Sequence, residues 1–179
     1  MNKTKKNRVI ISVGSNIDPL PNIKKSREIL SSETIFIYAA DSIETAPIGY
    51  LNQANFLNTA FLVMTSLSYH DFNFSLKAIE NRMGRERGPI KAGPRTIDLD
   101  IIVWNEYLIT EDYYNFEYVS VPVDQVLSTM SLDIKEFKHN TKVLYVTYKC
   151  SFTFLLYHIQ IKKKTGQGEA YVGTGGKEI

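Results

Sequence analysis

Runs of apolar residues with the length of β-strands recur four times in the first part of the chain. They cover residues 8–14, 34–42, 57–66 and 96–104, and β-branched and aromatic residues are common in each. Such runs, bounded by glycine, proline, asparagine or serine, are typical of strands. Residues 43–56 contain Pro47 and Gly49 and lack a clean period, so we predict a long loop there. Loops of this length often carry function.

Helical spacing of apolar residues predicts two helices between these strands. The first begins at about Pro21, since proline suits the first turn of a helix, and places Ile23 and Leu30 on one face. The second runs from about residue 69 to residue 83, behind a capping box formed by Ser68 and Asp71. The order is strand, helix, strand, strand, helix, strand. This order predicts an α/β (α+β) fold, a ferredoxin-like split βαβ sheet with helices packed on it.

The last third of the chain has weaker periodicity. Aromatic residues cluster in "DYYNFEY", and five of the ten glycines fall in the last 14 residues. We therefore predict a basic N-terminal extension at 1–7, one domain at 8–120, and a divergent tail at 121–179 that is partly disordered.

Composition excludes several functional classes. The net charge is +2, from 21 basic and 19 acidic residues, which is too balanced to indicate a nucleic-acid binder. Cys150 is the only cysteine, so the chain forms no internal disulfide and no thiolate cluster for zinc. The start lacks the apolar stretch of a secretory signal, and no apolar run is long enough to span a membrane. We expect a cytoplasmic protein.

Two acidic residues interrupt the fourth predicted strand. In "KAGPRTIDLDIIVW", Asp98 and Asp100 stand two residues apart, so a strand would place both on one face, with Leu99 on the other. Magnesium prefers hard oxygen ligands and is often held by one or two carboxylates together with substrate phosphates. The alternative is a pair of solvated acids on an exposed sheet face.

A basic loop directly precedes the acid pair. It carries five basic residues: Arg82, Arg85, Arg87, Lys91 and Arg95. Arginine presents a planar fork suited to phosphate oxygens, and basic residues beside a metal-binding acid pair suit a nucleoside triphosphate site. The alternative is a solvated charged loop with Glu80 and Glu86 as partners. The chain lacks the G-x-x-x-x-G-K-[ST] motif of P-loop enzymes.

The predicted loop and the start of the third strand supply groups suited to a flat heterocycle. Amide and hydroxyl groups are dense there, and two aromatic rings could stack on such a ligand. The residues are Thr45, Tyr50, Asn52, Gln53, Asn55, Phe56 and Asn58.

Four segments of the chain resemble a known family over about residues 9–106. "VGSNI", "ETAPIGYLNQANFLNTA", "IENRMGRERG" and "GPRTIDLDIIVW" resemble the 6-hydroxymethyl-7,8-dihydropterin pyrophosphokinases of folate biosynthesis. The resemblance implies a ferredoxin-like fold and transfer of a pyrophosphoryl group from ATP to the pterin hydroxymethyl, with release of AMP. We expect a monomer that acts on small molecules, ATP and the hydroxymethyl pterin, with no nucleic-acid partner and no membrane.

The resemblance also implies roles for individual residues. Asp98 and Asp100 would hold two magnesium ions. Thr45, Ile48 (by its backbone), Phe56 and Asn58 would bind the pterin. ATP would be bound by Glu80, Arg85, Arg87, Lys91 and Arg95, with Arg85 and Arg87 on a mobile catalytic loop. The arginines Arg85, Arg87 and Arg95 would act with the acid pair in catalysis.

The sequence departs from the family pattern at two places. Ala92 stands where the family has a tryptophan, and Pro122 is followed by Val123 where a histidine is expected, with no arginine or phenylalanine after it. A lineage-specific tail or a change of reading frame would each explain the divergence after Val121. A catalytically impaired remnant and, more remotely, an RNA-binding α/β domain are therefore alternative functions.

Overall fold

An antiparallel sheet of six strands is the centre of the computed structural model, which describes residues 6–135. The strands are β1 (Asn7–Ser15), β2 (Ile35–Ala39), β3 (Ile43–Thr45), β4 (Phe56–Thr65), β5 (Asp98–Trp104) and β6 (Tyr107–Leu108). The helices are α1 (Pro19–Glu33), α2 (Tyr69–Arg82), α3 (Asp112–Asn115) and α4 (Glu117–Thr129).

The strand order confirms the predicted ferredoxin-like arrangement. The sheet runs β2-β4-β1-β5-β6, and β3 pairs with β4 outside this path. The first strand is therefore central, with β4 on one side and β5 on the other. The register sets Ser12 of β1 beside Asp100 of β5, and Gly14 beside both Asp98 and Asn58. Residues far apart in sequence thus meet at one end of the sheet.

Both faces of the sheet are covered, which explains the consecutive apolar residues at 9–11 of β1 and 60–64 of β4. On one face Val9, Ile11 and Val13 pack with residues of α1 and α2, including Leu30 and Leu76. The opposite face carries a second core. Its members include Ile10, Leu62 and Ile102 of the sheet and Val119, Val123 and Val126 of α4.

Two predicted boundaries are corrected by the structure. The first helix begins at Pro19 instead of Pro21, directly after Asp18, which adopts a left-handed φ of 41°. The predicted loop at 43–56 begins with a short strand, β3, whose Ile43 and Thr45 pair with Asn58 and Phe56 of β4. The prediction gave Pro47 and Gly49 too much weight and missed the strand-forming "IET" before them. Ser68 is the N-cap of α2, as predicted, since its hydroxyl accepts a hydrogen bond from the Asp71 amide. The Asp71 carboxylate accepts from the Ser68 hydroxyl, in place of the backbone N–H of a full capping box.

The segment after β6 completes the second core. Val119, Val123 and Val126 of α4 are all buried, and Pro122 lies inside the helix. The predicted boundary between domain and tail at residue 120 falls within this helix. Residues 1–5 of the predicted N-terminal extension and residues 136–179 of the predicted tail lie outside the described residues. Within residues 6–135, the helices are too short or too polar to cross a membrane.

Candidate functional site

The acid pair of β5 faces a cavity of about 120 Å³. Asp98 and Asp100 both line it, together with Ser12 and Gly14 from the neighbouring β1, while Leu99 lies in the core on the other face. The alternation of a strand produces this arrangement, and the predicted common face is observed. The two carboxylates are therefore available to one ligand.

The rest of the cavity wall brings together three other parts of the chain. The β3–β4 region contributes Thr45, Ala46, Pro47, Ile48, Phe56 and Asn58. The loop before β5 contributes Ala92 and Arg95, and the region of α3 and α4 contributes Asp112, Tyr118 and Val119. All four residues predicted to bind the pterin thus lie in the same cavity as the acid pair.

Asn58 has a fixed orientation in this wall. It is buried, and its side-chain Nδ2 donates to Thr45 Oγ1 at 2.8 Å. Its Oδ1 would lie only 2.8 Å from a Cβ placed on Gly14, so the position of the amide requires a glycine at residue 14. A second polar group of the cavity, Thr45, is held by the same hydrogen bond.

Asn16 of the "VGSN" segment joins the loops around the cavity. Its Nδ2 donates to Gln53 Oε1 at 2.9 Å and to the Ala54 carbonyl at 3.1 Å. Its Oδ1 accepts from the Arg95 amide at 2.8 Å. Gln53 in turn donates to the Ala92 carbonyl at 2.7 Å. Asn16 and Gln53 therefore act as structural links, and Gln53 does not line the cavity as a ligand group.

Two arginines hold Asp98. Arg85 donates to Oδ1 and Arg95 donates to Oδ2, and the Arg95 guanidinium also lies 5.4 Å from the centre of the Phe56 ring. Burial raises the pKa of Asp98, but the hydrogen bonds and charges of Arg85 and Arg95 outweigh burial and hold it below its ordinary value. Asp98 is therefore ionised at neutral pH.

Lys77 of α2 holds the second carboxylate. Its ammonium lies 2.9 Å from Asp100 Oδ1. Removal from bulk water and the neighbouring charge of Asp98 raise the pKa of Asp100, while Lys77 opposes the rise. The sequence prediction missed Lys77. A signal was present, since Lys77 stands three residues before Glu80 and therefore on the same helix face.

Glu80 is fully buried and does not line the cavity. Its Oε1 accepts from Lys77 Nζ at 2.7 Å and from the Leu99 amide at 2.9 Å. Its Oε2 accepts from Arg87 at 2.7 Å, and Arg85 lies 3.1 Å from Oε1. The carboxylate thus links α2, the basic loop and β5, and a direct contact between Glu80 and a nucleotide stays a prediction.

The basic loop forms a groove beside the cavity, which we call the basic groove. Residues 85–88, 90–91 and 93–95 line it, so Arg85, Arg87, Lys91 and Arg95 share one concave surface. Arg87 also donates to Asn81 Oδ1 at 2.7 Å, and the Lys91 carbonyl accepts from Arg95 at 3.1 Å. Arg95 lines both the groove and the cavity and therefore connects them.

Tyr118 and Asp112 are cavity residues that the sequence prediction did not include. The Tyr118 ring stacks on Phe116, with 5.1 Å between ring centres. Burial and then the charge of Asp112 raise the pKa of the Tyr118 hydroxyl. The aromatic cluster "DYYNFEY" was noted in the sequence, but no period identified which ring faced the cavity.

The oxygen ligands that Asp98 and Asp100 offer are of the kind that magnesium prefers. Both residues supply carboxylate oxygens, which this ion prefers, and magnesium usually completes its shell with water and substrate phosphate. Within residues 6–135 no group of three or more histidine, cysteine, aspartate or glutamate side chains could hold a metal. A cation at Asp98 and Asp100 would thus take its remaining ligands from water and from substrate phosphates.

Comparison with known proteins identifies a family. The family described as 7,8-dihydro-6-hydroxymethylpterin-pyrophosphokinase (HPPK) matches residues 10–129. The match runs through α4, so it includes the segment after β5 that forms one wall of the cavity.

Three relatives illustrate the similarity. A mitochondrial folate synthesis bifunctional protein of Pisum sativum is 38% identical over 112 residues, which are 62% of this chain and 22% of the relative. A 2-amino-4-hydroxy-6-hydroxymethyldihydropteridine pyrophosphokinase of Helicobacter pylori is 34% identical over 110 residues, 59% of this chain and 68% of the relative. The protein of the same name from Bacillus subtilis is 38% identical over 102 residues, 55% of this chain and 60% of the relative. The chain thus spans less than a quarter of the pea protein.

Proposed function

Since this chain belongs to the 7,8-dihydro-6-hydroxymethylpterin-pyrophosphokinase family, we propose that it transfers a pyrophosphoryl group from ATP to 6-hydroxymethyl-7,8-dihydropterin. The products are the pterin diphosphate and AMP, and the reaction belongs to folate synthesis. One observation carries the proposal. A single cavity holds the acid pair Asp98 and Asp100 beside a wall of polar and aromatic groups that includes Phe56 and Asn58.

The pterin occupies the β3–β4 side of this cavity. Thr45 and Asn58 are preorganised by their mutual hydrogen bond, and they offer amide and hydroxyl groups to the ring. Phe56 and Tyr118 provide aromatic surfaces that suit a flat heterocycle. Ile48 contributes its backbone, as the resemblance to the family implies.

The basic groove binds the triphosphate of ATP. Arg85, Arg87, Lys91 and Arg95 line it, and the guanidinium groups are suited to paired contacts with phosphate oxygens. Arg95 reaches both ligands, since it also lies over Phe56 and contacts Asp98. Phosphoryl transfer depends mainly on positioning and charge stabilisation, and this arrangement supplies both.

The reaction forms one bond and breaks one bond at the β-phosphorus. The pterin hydroxymethyl oxygen bonds to that atom and releases its proton to water, and the bond from the β-phosphorus to the oxygen of the α-phosphate breaks, so that AMP leaves. Asp98 and Asp100 would hold magnesium, which we propose to number two ions and which supplies charge neutralisation of the phosphates. No nucleophilic side chain is required.

We propose a cytoplasmic monomer without a nucleic-acid partner. The single cysteine of the chain favours the cytoplasm, and its balanced charge favours the absence of a nucleic-acid partner. The pea relative is named as mitochondrial, so localisation of a tagged chain by microscopy is the test of the compartment.

A catalytically impaired relative that binds pterin or nucleotide is the second candidate. Arg95 is the one basic residue that lines the cavity, among residues 6–135. The α3–α4 side contributes Asp112, Tyr118 and Val119. The resemblance predicts a histidine after Pro122, but Val123 stands there and is buried in the second core, and no arginine follows it. Fewer positive charges near the phosphates would lower the rate of transfer.

The test measures AMP release from ATP in the presence of the hydroxymethyl pterin and magnesium, using the full chain. We expect AMP formation that falls by about 10²-fold or more in Asp98→Asn and in Asp100→Asn. Asp133→Asn, at an exposed position, is the matched control and should retain activity. Pterin binding without AMP above background would favour the impaired relative and would overturn the proposed activity.

A further inference from the structure

The ammonium of Lys77 lies against the outer edge of β5. It is 2.7 Å from Glu80 Oε1, 2.8 Å from the Leu99 carbonyl and 2.9 Å from Asp100 Oδ1. A lysine ammonium has three N–H donors, so these three oxygens use its full capacity. The lysine is fixed in place even though about a third of its side chain is exposed.

The topology of the sheet explains why a helix side chain can reach this position. The strand β6 pairs with β5 only at Val103 and Trp104. The edge at Leu99 is therefore open to α2. Lys77 donates a hydrogen bond to the Leu99 carbonyl, and Glu80 accepts one from the Leu99 amide. Lys77 thus supplies the hydrogen bond that a neighbouring strand would give to Leu99, and it also places a positive charge beside Asp100.

The charges around the acid pair are nearly balanced without any ligand. Three carboxylates, those of Glu80, Asp98 and Asp100, face four cations. The cations are Lys77, Arg85, Arg87 and Arg95. A divalent cation approaching the pair alone meets carboxylates whose charge these cations already neutralise, although Asp112 is a further acid of the cavity wall. A cation that arrives with a triphosphate brings its own negative charge to the cluster.

We propose that Lys77 is a positioning residue that sets the affinity of the acid pair for divalent cations. Its ammonium competes with the cation for Asp100 Oδ1 and thereby disfavours the cation alone relative to the cation bound to a nucleotide. This inference rests on the proposed function for the identity of the site as a metal–nucleotide site. It assigns a specific role to a residue that does not line the cavity.

The experiment measures manganese binding to the full chain without nucleotide, by the loss of the electron paramagnetic resonance signal of free Mn²⁺. Lys77→Gln removes the charge and keeps a hydrogen-bond donor, and Lys77→Arg keeps the charge. Lys24→Gln, on the exposed side of α1, is the matched control. Lys77→Met retains the apolar stem and provides a second neutral variant if Lys77→Gln folds poorly.

We expect Lys77→Gln and Lys77→Met to bind Mn²⁺ about tenfold more tightly than the unmodified chain, because a positive charge close to the cation has been removed. Lys77→Arg and Lys24→Gln should remain near the original affinity. If the role of Lys77 were purely structural, its loss would disorder the site and weaken Mn²⁺ binding. Unchanged or weaker Mn²⁺ binding in both neutral variants would therefore overturn the proposal.

The two proposals can fail separately. AMP release by the unmodified chain tests the proposed function, and Mn²⁺ affinity tests the role of Lys77. Tighter Mn²⁺ binding by Lys77→Gln in a chain that releases no AMP would support the role of Lys77 and overturn the transfer reaction. AMP release with unchanged Mn²⁺ affinity in the neutral variants would support the transfer reaction and overturn the role of Lys77.

Discussion

Gly14 and Asn58 are register partners on β1 and β4, and a Cβ on Gly14 would come within 2.8 Å of Asn58 Oδ1. The hydrogen bond from Asn58 Nδ2 to Thr45 Oγ1 leaves the amide little freedom to turn away. A methyl group on residue 14 would therefore displace Asn58, the Gly14 backbone or both. The glycine of the first strand thus determines the position of a predicted pterin-binding amide.

Gly14→Ala should raise the KM for the hydroxymethyl pterin by roughly tenfold, because small displacements of a binding group are costly in oriented reactions. The KM for ATP should change much less, since the basic groove does not contain Gly14. Steady-state measurement of AMP release at varied pterin and varied ATP separates the two effects.

Gly88→Ala is the steric control for this experiment, because a Cβ there meets no atom within 4 Å. It should leave the KM for the pterin unchanged. Equal effects of both substitutions on that KM would contradict the assignment of Gly14.

Tyr118 is expected to contribute its ring to pterin binding. Tyr118→Ala should weaken binding of the pterin by about tenfold, since an aromatic contact surface is lost, whereas Tyr118→Phe should retain most of the affinity. Quenching of pterin fluorescence on titration with the protein provides the dissociation constants.

Tyr114 is a suitable comparison for Tyr118, since it is 61% exposed and does not line the cavity. Tyr114→Ala should leave pterin affinity close to that of the unmodified chain. An unchanged dissociation constant in Tyr118→Ala would show that the ring does not contact the pterin.

The sequence predicted the part of the site that local patterns encode. The alternation of β5 determines that Asp98 and Asp100 share a face while Leu99 is buried, and this is a property of any strand. The segment around Phe56 and Asn58 was also identified, because its polar and aromatic density stands out. These residues lie within short stretches, and neighbouring positions suffice to place them.

The parts that the sequence did not predict depend on contacts between distant elements. Lys77 belongs to an amphipathic helix, and only the short length of β6 exposes the edge of β5 to it. Tyr118 lies in a segment without a clear periodicity of apolar residues, and its position in the cavity wall follows from the packing of α4 over the sheet. The predicted boundary at residue 120 falls within that same helix, whose Val123 and Val126 pack in the second core.

Replacement of Glu80 should reduce stability more when the acceptor is lost than when only the charge is lost. Glu80→Ala leaves the Leu99 amide and the cations Lys77 and Arg87 without their buried acceptor. A buried donor left without its acceptor, such as the Leu99 amide, costs about 1 to 3 kcal/mol of the free energy of unfolding. Glu80→Gln retains an acceptor oxygen and should cost less. Urea denaturation of the two variants provides the comparison.

Glu33→Gln is the matched control for Glu80, since Glu33 forms an exposed ion pair with Arg82. Exposed pairs contribute about 0 to 1 kcal/mol, so this variant should remain close to the unmodified chain. A loss in Glu80→Ala no larger than in Glu33→Gln would contradict the central position of the buried carboxylate.

The interaction of Asp98 with Arg85 and Arg95 predicts a dependence of stability on pH. The pKa of Asp98 is lowered in the folded chain, by hydrogen bonds and charges that outweigh burial, relative to about 3.9 in the unfolded chain. The folded state therefore binds fewer protons in acid than the unfolded state. The contribution of Asp98 to the free energy of unfolding is complete above the unfolded pKa and is lost as the pH falls through the folded pKa.

Asp98→Asn should remove this contribution. At pH 7 the variant should be less stable than the unmodified chain by about 2 kcal/mol, the scale of hydrogen bonds to a charged group, and the difference should shrink as the pH falls from about 4 towards 2. Urea denaturation at a series of pH values measures both chains, with Asp133→Asn as the control. A difference that stays constant from pH 7 to pH 2 would mean that the Asp98 carboxylate does not stabilise the fold through its charge, and the two arginines would then need another partner.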